Sequence, residues 1–182
     1  VRNNQQNTVD SASSENENFR EFTDAIFRDN VSGDILSLHT ILQHPENYGI
    51  TNYEKTLGRY NLDNPTDSSD ISDCLTQLNS FDKNSLSKDQ QITYELLKKY
   101  LETKLEYCDL FLLDTDLSTT IGIQVQLPII FAEYTFNEVK DIDEYLCAVE
   151  DTDEFFENLI EYEKMRSEKG YFMETSLAEE II

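Results

Sequence analysis

Apolar residues recur at helical spacing along most of this chain. Phe19, Phe22, Ile26 and Phe27 fall on one face of an amphipathic helix that ends before Gly33. Ile35, Leu38, Ile41 and Leu42 repeat the pattern in a second helix that stops before Pro45, with His39 on its flank. From Pro45 to Asp67 the periodicity lapses into Tyr48-Gly49, Leu57-Gly58 and Asn64-Pro65, which is loop punctuation. In this long connection Tyr48, Tyr53 and Tyr60 either pin the loop to the helices or line a cleft.

Beyond it, Ile71, Cys74, Leu75 and Leu78 form the next apolar stripe. Ser87-Lys88-Asp89-Gln90 is a Ser-x-x-Gln capping box, in which hydroxyl and amide satisfy each other's backbone donors. Ile92, Leu96, Leu97, Leu101, Leu105, Cys108 and Leu112 then carry a helix for roughly six turns, with Glu95 and Lys99 as an i,i+4 pair. Asp141 and Glu144 form another box-like start, with Ile142, Tyr145, Leu146 and Val149 facing inward. Thr152 opens a further helix whose core face is Phe155, Phe156, Leu159 and Ile160, and Gly170 sits where a left-handed C-terminal cap belongs. A last capping box, Ser176-Leu177-Ala178-Glu179, starts a helix close to Ile182, which leads us to expect a chain cut from a longer one. The fold expected is all-α: an irregular array of about six to seven helices with a long central loop and no substantial sheet.

The stretch Ser118 to Phe136, STTIGIQVQLPIIFAEYTF, breaks the regularity by placing two glutamines and a proline inside an apolar run. Gly122 permits tight backbone, and Pro128 suits the first turn of a helix, so the segment reads as an ordered loop feeding a short buried helix. If the loop is extended, Gln124 and Gln126 share one face opposite Ile123, Val125 and Leu127. The two amides then either satisfy loop carbonyls or contact a substrate.

This segment resembles the loop of the bacterial domain-of-unknown-function 885 family, whose members are large, mostly helical, similar to zinc-dependent metallopeptidases and often made as lipoproteins. The resemblance extends over Phe19 to Ile50, Ser80 to Glu106, and from Thr119 through the KGYFMETSL stretch ending at Leu177. It implies the N-terminal helical region, residues 19–182, of a larger metallopeptidase-like protein, with residues 1–18 as a disordered linker. The family's chemistry rests on a HExxH helix, in which two histidines one turn apart bind zinc and the glutamate activates water. No HExxH occurs here; His39 and His44 are five apart, and Pro45 follows the second. The resemblance therefore implies that the chain alone is not an enzyme and holds no catalytic residue, metal ligand or cofactor. Zinc and carboxypeptidase-like activity would belong to the parent. The C-terminal catalytic region of that parent is then the partner, peptide is the candidate substrate, and Gln124, Gln126 and Tyr134 are the candidate contacts. A lipid anchor on the parent would place it outside the cytoplasm, tethered to a membrane.

Composition narrows the alternatives. In 182 residues the chain carries 14 basic against 37 acidic residues, a formal charge of −23, which opposes binding to nucleic acid or anionic lipid. Only three prolines and five glycines are present, in keeping with helices. No apolar run reaches the roughly twenty residues of a membrane span. The opening VRNNQQNTVDSASSENEN has almost nothing to bury and reads as a linker. Three cysteines, Cys74, Cys108 and Cys147, make no disulfide framework and read as buried thiols. Asp114 and Asp116 begin like a calcium loop, but Thr119 replaces the needed glycine and Val125 the closing glutamate. Asp151 and Asp153 suit a helix N-terminus better than a cation.

Two functional classes follow. One is the wall of a peptidase cleft, lacking the HExxH centre. The other is a non-catalytic helical binding or scaffold module acting through its acidic surface.

Overall fold

A computed structural model describes the backbone of residues 2–181 and the side chains of residues 14–180. The described residues form eight α-helices joined by 3-10 turns and loops, with no strand: α1 (Arg2–Val31), α2 (Ile35–Ile41), α3 (Ser69–Asn79), α4 (Lys88–Tyr107), α5 (Ile123–Glu133), α6 (Lys140–Glu150), α7 (Thr152–Glu168) and α8 (Thr175–Ile181). The chain divides into two compact units, one of residues 1–27 and 66–109, the other of residues 28–65 and 110–182.

The first unit has an aromatic core. Phe19 and Phe22 of α1, Leu78 of α3, Leu86, and Tyr94 and Leu101 of α4 are buried together. The Phe81 ring meets Phe19 edge-on at 5.3 Å, and Tyr94 stacks on Phe19 at 6.3 Å. Such ring pairs add to the area they bury. The Ser87 capping box forms as the sequence indicates, with Ser87 Oγ accepting from Gln90 N and Gln90 Oε1 from Ser87 N. α4 nevertheless stops at Tyr107 and tightens into a 3-10 turn, Cys108–Leu113. Its inward residues are Tyr94 and Leu101, whereas Ile92 and Leu96 stay exposed. Glu95 pairs with Lys83.

The linker expected over 1–18 falls on α1, and the side chains of its first thirteen residues lie outside those described. Glu15 and Asn16 are built into the first unit. Glu15 accepts from Asp82 N; Asn16 donates to Ser85 O at 3.1 Å and accepts from Ser87 N at 2.8 Å. Polar side chains thus anchor the middle of α1 to the first unit at Glu15 and Asn16.

In the second unit Val31, Ile35, Leu36, Leu38, Leu42, Ile50, Leu127 and Ala148 make the apolar core. The long segment after α2 is a 3-10 turn, Pro45–Tyr48, followed by irregular chain laid along α6 and α7. Side chains hold it there. Asp151 accepts from Leu57 N at 2.8 Å and grips the Arg59 guanidinium through both oxygens; Asn158 pairs with the backbone of Tyr60. Tyr60 stacks on Tyr162 at 4.5 Å, and Tyr53 donates to Glu144 at 3.0 Å. Tyr53 and Tyr60 therefore serve as pins. α7 ends as anticipated, with Gly170 at φ 78° and Tyr171 N donating to Arg166 O.

α6 differs from the reading of its periodicity. Asp141, Glu144 and Ala148 face inward, while Ile142, Leu146 and Val149 are 49 %, 50 % and 42 % exposed. The helix is turned so that its carboxylates reach buried donors. Those charge-assisted hydrogen bonds outweigh the apolar stripe that periodicity would have placed inside.

Candidate functional site

The buried carboxylates of α6 meet α2 and the loop after it. His39 sits mid-way along α2, a helix started by Asp34, whose side chain accepts from Ser37 N. Its imidazole Nε2 lies in hydrogen-bond contact with Glu144 Oε2 at 2.6 Å, and both side chains are almost sealed, at 6 % and 5 % exposure. The other Glu144 oxygen accepts from Tyr53 and lies 3.5 Å from Lys55 Nζ. Asp141 Oδ2 accepts from Asn137 N at 2.7 Å and Glu138 N at 2.9 Å, so it ties down the turn that leads into its own helix, whose N-cap position is Val139. One donor atom each from His39, Asp141 and Glu144 lies within 4.8 Å of the others.

Tyr134 closes this group. Its ring lies 5.4 Å from the His39 ring, and its hydroxyl is sealed from solvent with no hydrogen-bond partner. Burial, and then the neighbouring Asp141 and Glu144 charges, push its phenol well above the usual range. Burial likewise raises Tyr53, with the Glu144 hydrogen bond adding to the effect. A cleft of about 530 Å³ lined by His39, Gln43, Tyr134 and Asn137 lies on the imidazole side of the group.

The other candidate residues are placed differently. The loop before α5 is ordered: Ile121 N donates to Ser118 Oγ and Ile123 N to Asp116 O. α5 begins at Ile123, so Pro128 lies inside the helix instead of in its first turn. Val125, Ile129 and Ile130 are exposed, which leaves α5 less buried than its apolar run suggested. On a helix residues two apart do not share a face, so Gln124 and Gln126 form no common strip. The Gln124 side-chain amide donates to Ser118 O, while its Oε1 is buried without a partner. Gly122 is required by close approach. A Cβ there would stand 2.3 Å from Ser118 N.

A second buried polar network lies on α7. Arg166 Nη1 contacts both Glu163 oxygens at 2.8 and 2.9 Å, Nε donates to Leu112 O and Nη2 to Tyr171 O. Tyr162 donates to Phe111 O and Asp114 O. These bonds satisfy the carbonyls left open where α4 gives way to its 3-10 turn and loop. This is structural work. A third group, His44, Glu46 and Glu138, is solvent-facing and braced by Lys140.

The fold and this site define an all-helical protein with a buried histidine–carboxylate centre. No family model, curated protein or solved structure matches the chain. Among the described residues no helix is long and apolar enough to cross a membrane. The centre escaped the sequence reading because its members come from distant segments; His39 and Glu144 are 105 positions apart. The one local signal is the i,i+3 spacing of Asp141 and Glu144, which suggests a capping box, but α6 has Val139 at its N-cap and no side-chain cap bond.

Proposed function

We propose that this chain is a non-catalytic helical binding or scaffold module that acts through its acidic surface. The observation carrying this reading is the outward apolar ridge of α6. Ile142, Leu146 and Val149 follow one another at helical spacing on the exposed side, beside exposed Asp143 and Glu150. Exposed apolar residues rimmed by charge suit recognition of a partner. An acidic rim selects a basic one, so the fitting ligand is an amphipathic, cationic helix.

A labelled Leu/Lys amphipathic peptide, followed by fluorescence anisotropy, tests this. Binding should weaken at least tenfold in Leu146→Asp and fall as salt rises, because exposed charges are screened. Binding unchanged by Leu146→Asp and Val149→Asp rejects the reading. The peptidase-wall alternative has one observation in its favour, the sealed and unpartnered Tyr134 hydroxyl beside the cleft. It calls for loss of turnover, not of peptide binding, when Tyr134→Phe is placed in the parent protein.

A further inference from the structure

We propose that His39, Asp141 and Glu144 form a binding site for a divalent transition-metal ion of the zinc type. The proposal is independent of the binding-module reading. It also stands apart from any HExxH centre, since none of the three lies in such a motif.

Three features of the structure point to a cation. The donor set is one imidazole and two carboxylates, each able to offer one atom within 4.8 Å of the others. An imidazole with carboxylates suits zinc, whereas calcium and magnesium favour all-oxygen shells. The carboxylates are directed inward on a helix whose apolar residues face out, so two acidic groups, 2 % and 4 % exposed, share a space with a single histidine. Buried carboxylates in such a pocket need positive charge or donors. Tyr53 and the Asn137 and Glu138 amides supply donors, but the flanking Lys55 ammonium, 45 % exposed, brings its positive charge only to the edge, at 3.5 Å.

The independent observation is Tyr134. Its hydroxyl is buried beside the cluster with no partner, an arrangement that native interiors rarely leave unexplained. A zinc ion held by three protein ligands takes a fourth from water. That water gives the Tyr134 hydroxyl its missing partner. The rest of the site is already in place. Tyr53 holds one Glu144 oxygen and the Asn137 and Glu138 amides hold one Asp141 oxygen, as the groups around metal ligands commonly do. The cleft lined by His39 and Tyr134 reaches the imidazole side of the site.

Zinc alone is the probe. Chain stripped with chelator, loaded with zinc sulfate and dialysed should retain one zinc per molecule by elemental analysis. X-ray absorption should show nitrogen and oxygen ligands at about 2.0–2.2 Å and no sulfur. The chain has only two histidines, so the exposed His44 supplies a control that need not disturb folding. His44→Gln should keep the zinc and its imidazole signature. His39→Gln, with helical content checked by circular dichroism, should weaken binding at least about tenfold. Tyr134→Phe, which removes no ligand, should weaken it less. The proposal is overturned if the native chain retains no zinc, if His44→Gln abolishes retention or the imidazole signature, or if sulfur appears in the shell. In each case the His39–Glu144 bond is only an internal brace.

Discussion

The two units of this chain are held together by different physics. In the first, formed by residues 1–27 and 66–109, the core is Phe19, Phe22, Leu78, Leu86, Tyr94 and Leu101, and the polar bonds are caps, surface pairs and the Asn16 contacts to the Ser85–Ser87 backbone. In the second, every buried charged residue among those described is present: Asp141, Glu144, Glu163 and Arg166. Hydrophobic burial is non-directional, so the first unit tolerates changes that keep volume and pattern. Buried polar networks are directional, and a single missing partner leaves the rest exposed to the full desolvation penalty. The second unit is the more specified of the two, and it carries the candidate site.

Two substitutions should break each unit on its own terms. Phe19→Ala empties a ring-lined position that is 1 % exposed and should lower stability by about 3–5 kcal/mol in urea unfolding, with little dependence on pH. Arg166→Met should have a comparable effect, about 3–5 kcal/mol, for a different reason: it strands Glu163 and the carbonyls of Leu112 and Tyr171. Adding Glu163→Leu to Arg166→Met should recover much of that loss. No recovery would mean that the network's worth lies outside this pair.

Gly122→Ala should cost about 1–3 kcal/mol, because the new methyl meets the backbone of Ser118, which cannot swing aside as a side chain can. A melting curve identical to that of the native chain would show that the loop before α5 relaxes freely.

A smaller effect separates the units by pH. Burial alone would raise the Asp151 carboxyl, but the Arg59 guanidinium and the Leu57 N–H hold it below the usual carboxylate range. A depressed folded-state value means that its contribution is complete above the unfolded value and is lost as pH falls through the lower, folded one. Acid titration should therefore loosen the segment carrying Leu57 and Arg59, as read by amide exchange, and Asp151→Asn should remove that pH dependence. Acid loosening that persists in Asp151→Asn would place its origin elsewhere.

The same contrast explains what the sequence disclosed. Phe19, Phe22, Leu78 and the Ser87 box were legible because each lies in a local pattern of apolar spacing or capping. Gly170, Thr152 and the C-terminal ends of α1 and α2 were legible for the same reason. α6 was not. Its periodicity is genuine, but the decisive partners of Glu144 are His39 and Tyr53, each more than ninety positions away. The extent of α5 is hidden because Pro128 signals a helix start, although Gly122 with the Asp116 carbonyl already supplies one five residues earlier, at Ile123. The pairing of Arg166 with Glu163 on α7 was available as an i,i+3 spacing, but nothing local shows that it is buried.

The central claim is that α6 turns its carboxylates in and its apolar residues out, and one pair of thermal melts tests it. Leu146 is half exposed, so Leu146→Ser should shift stability by no more than about 1 kcal/mol. Glu144→Ala leaves His39 and Tyr53 without their partner and should cost about 2 kcal/mol or more. The reverse order, a large loss for Leu146→Ser and none for Glu144→Ala, would mean that the helix faces the other way and that the buried histidine–carboxylate centre does not exist.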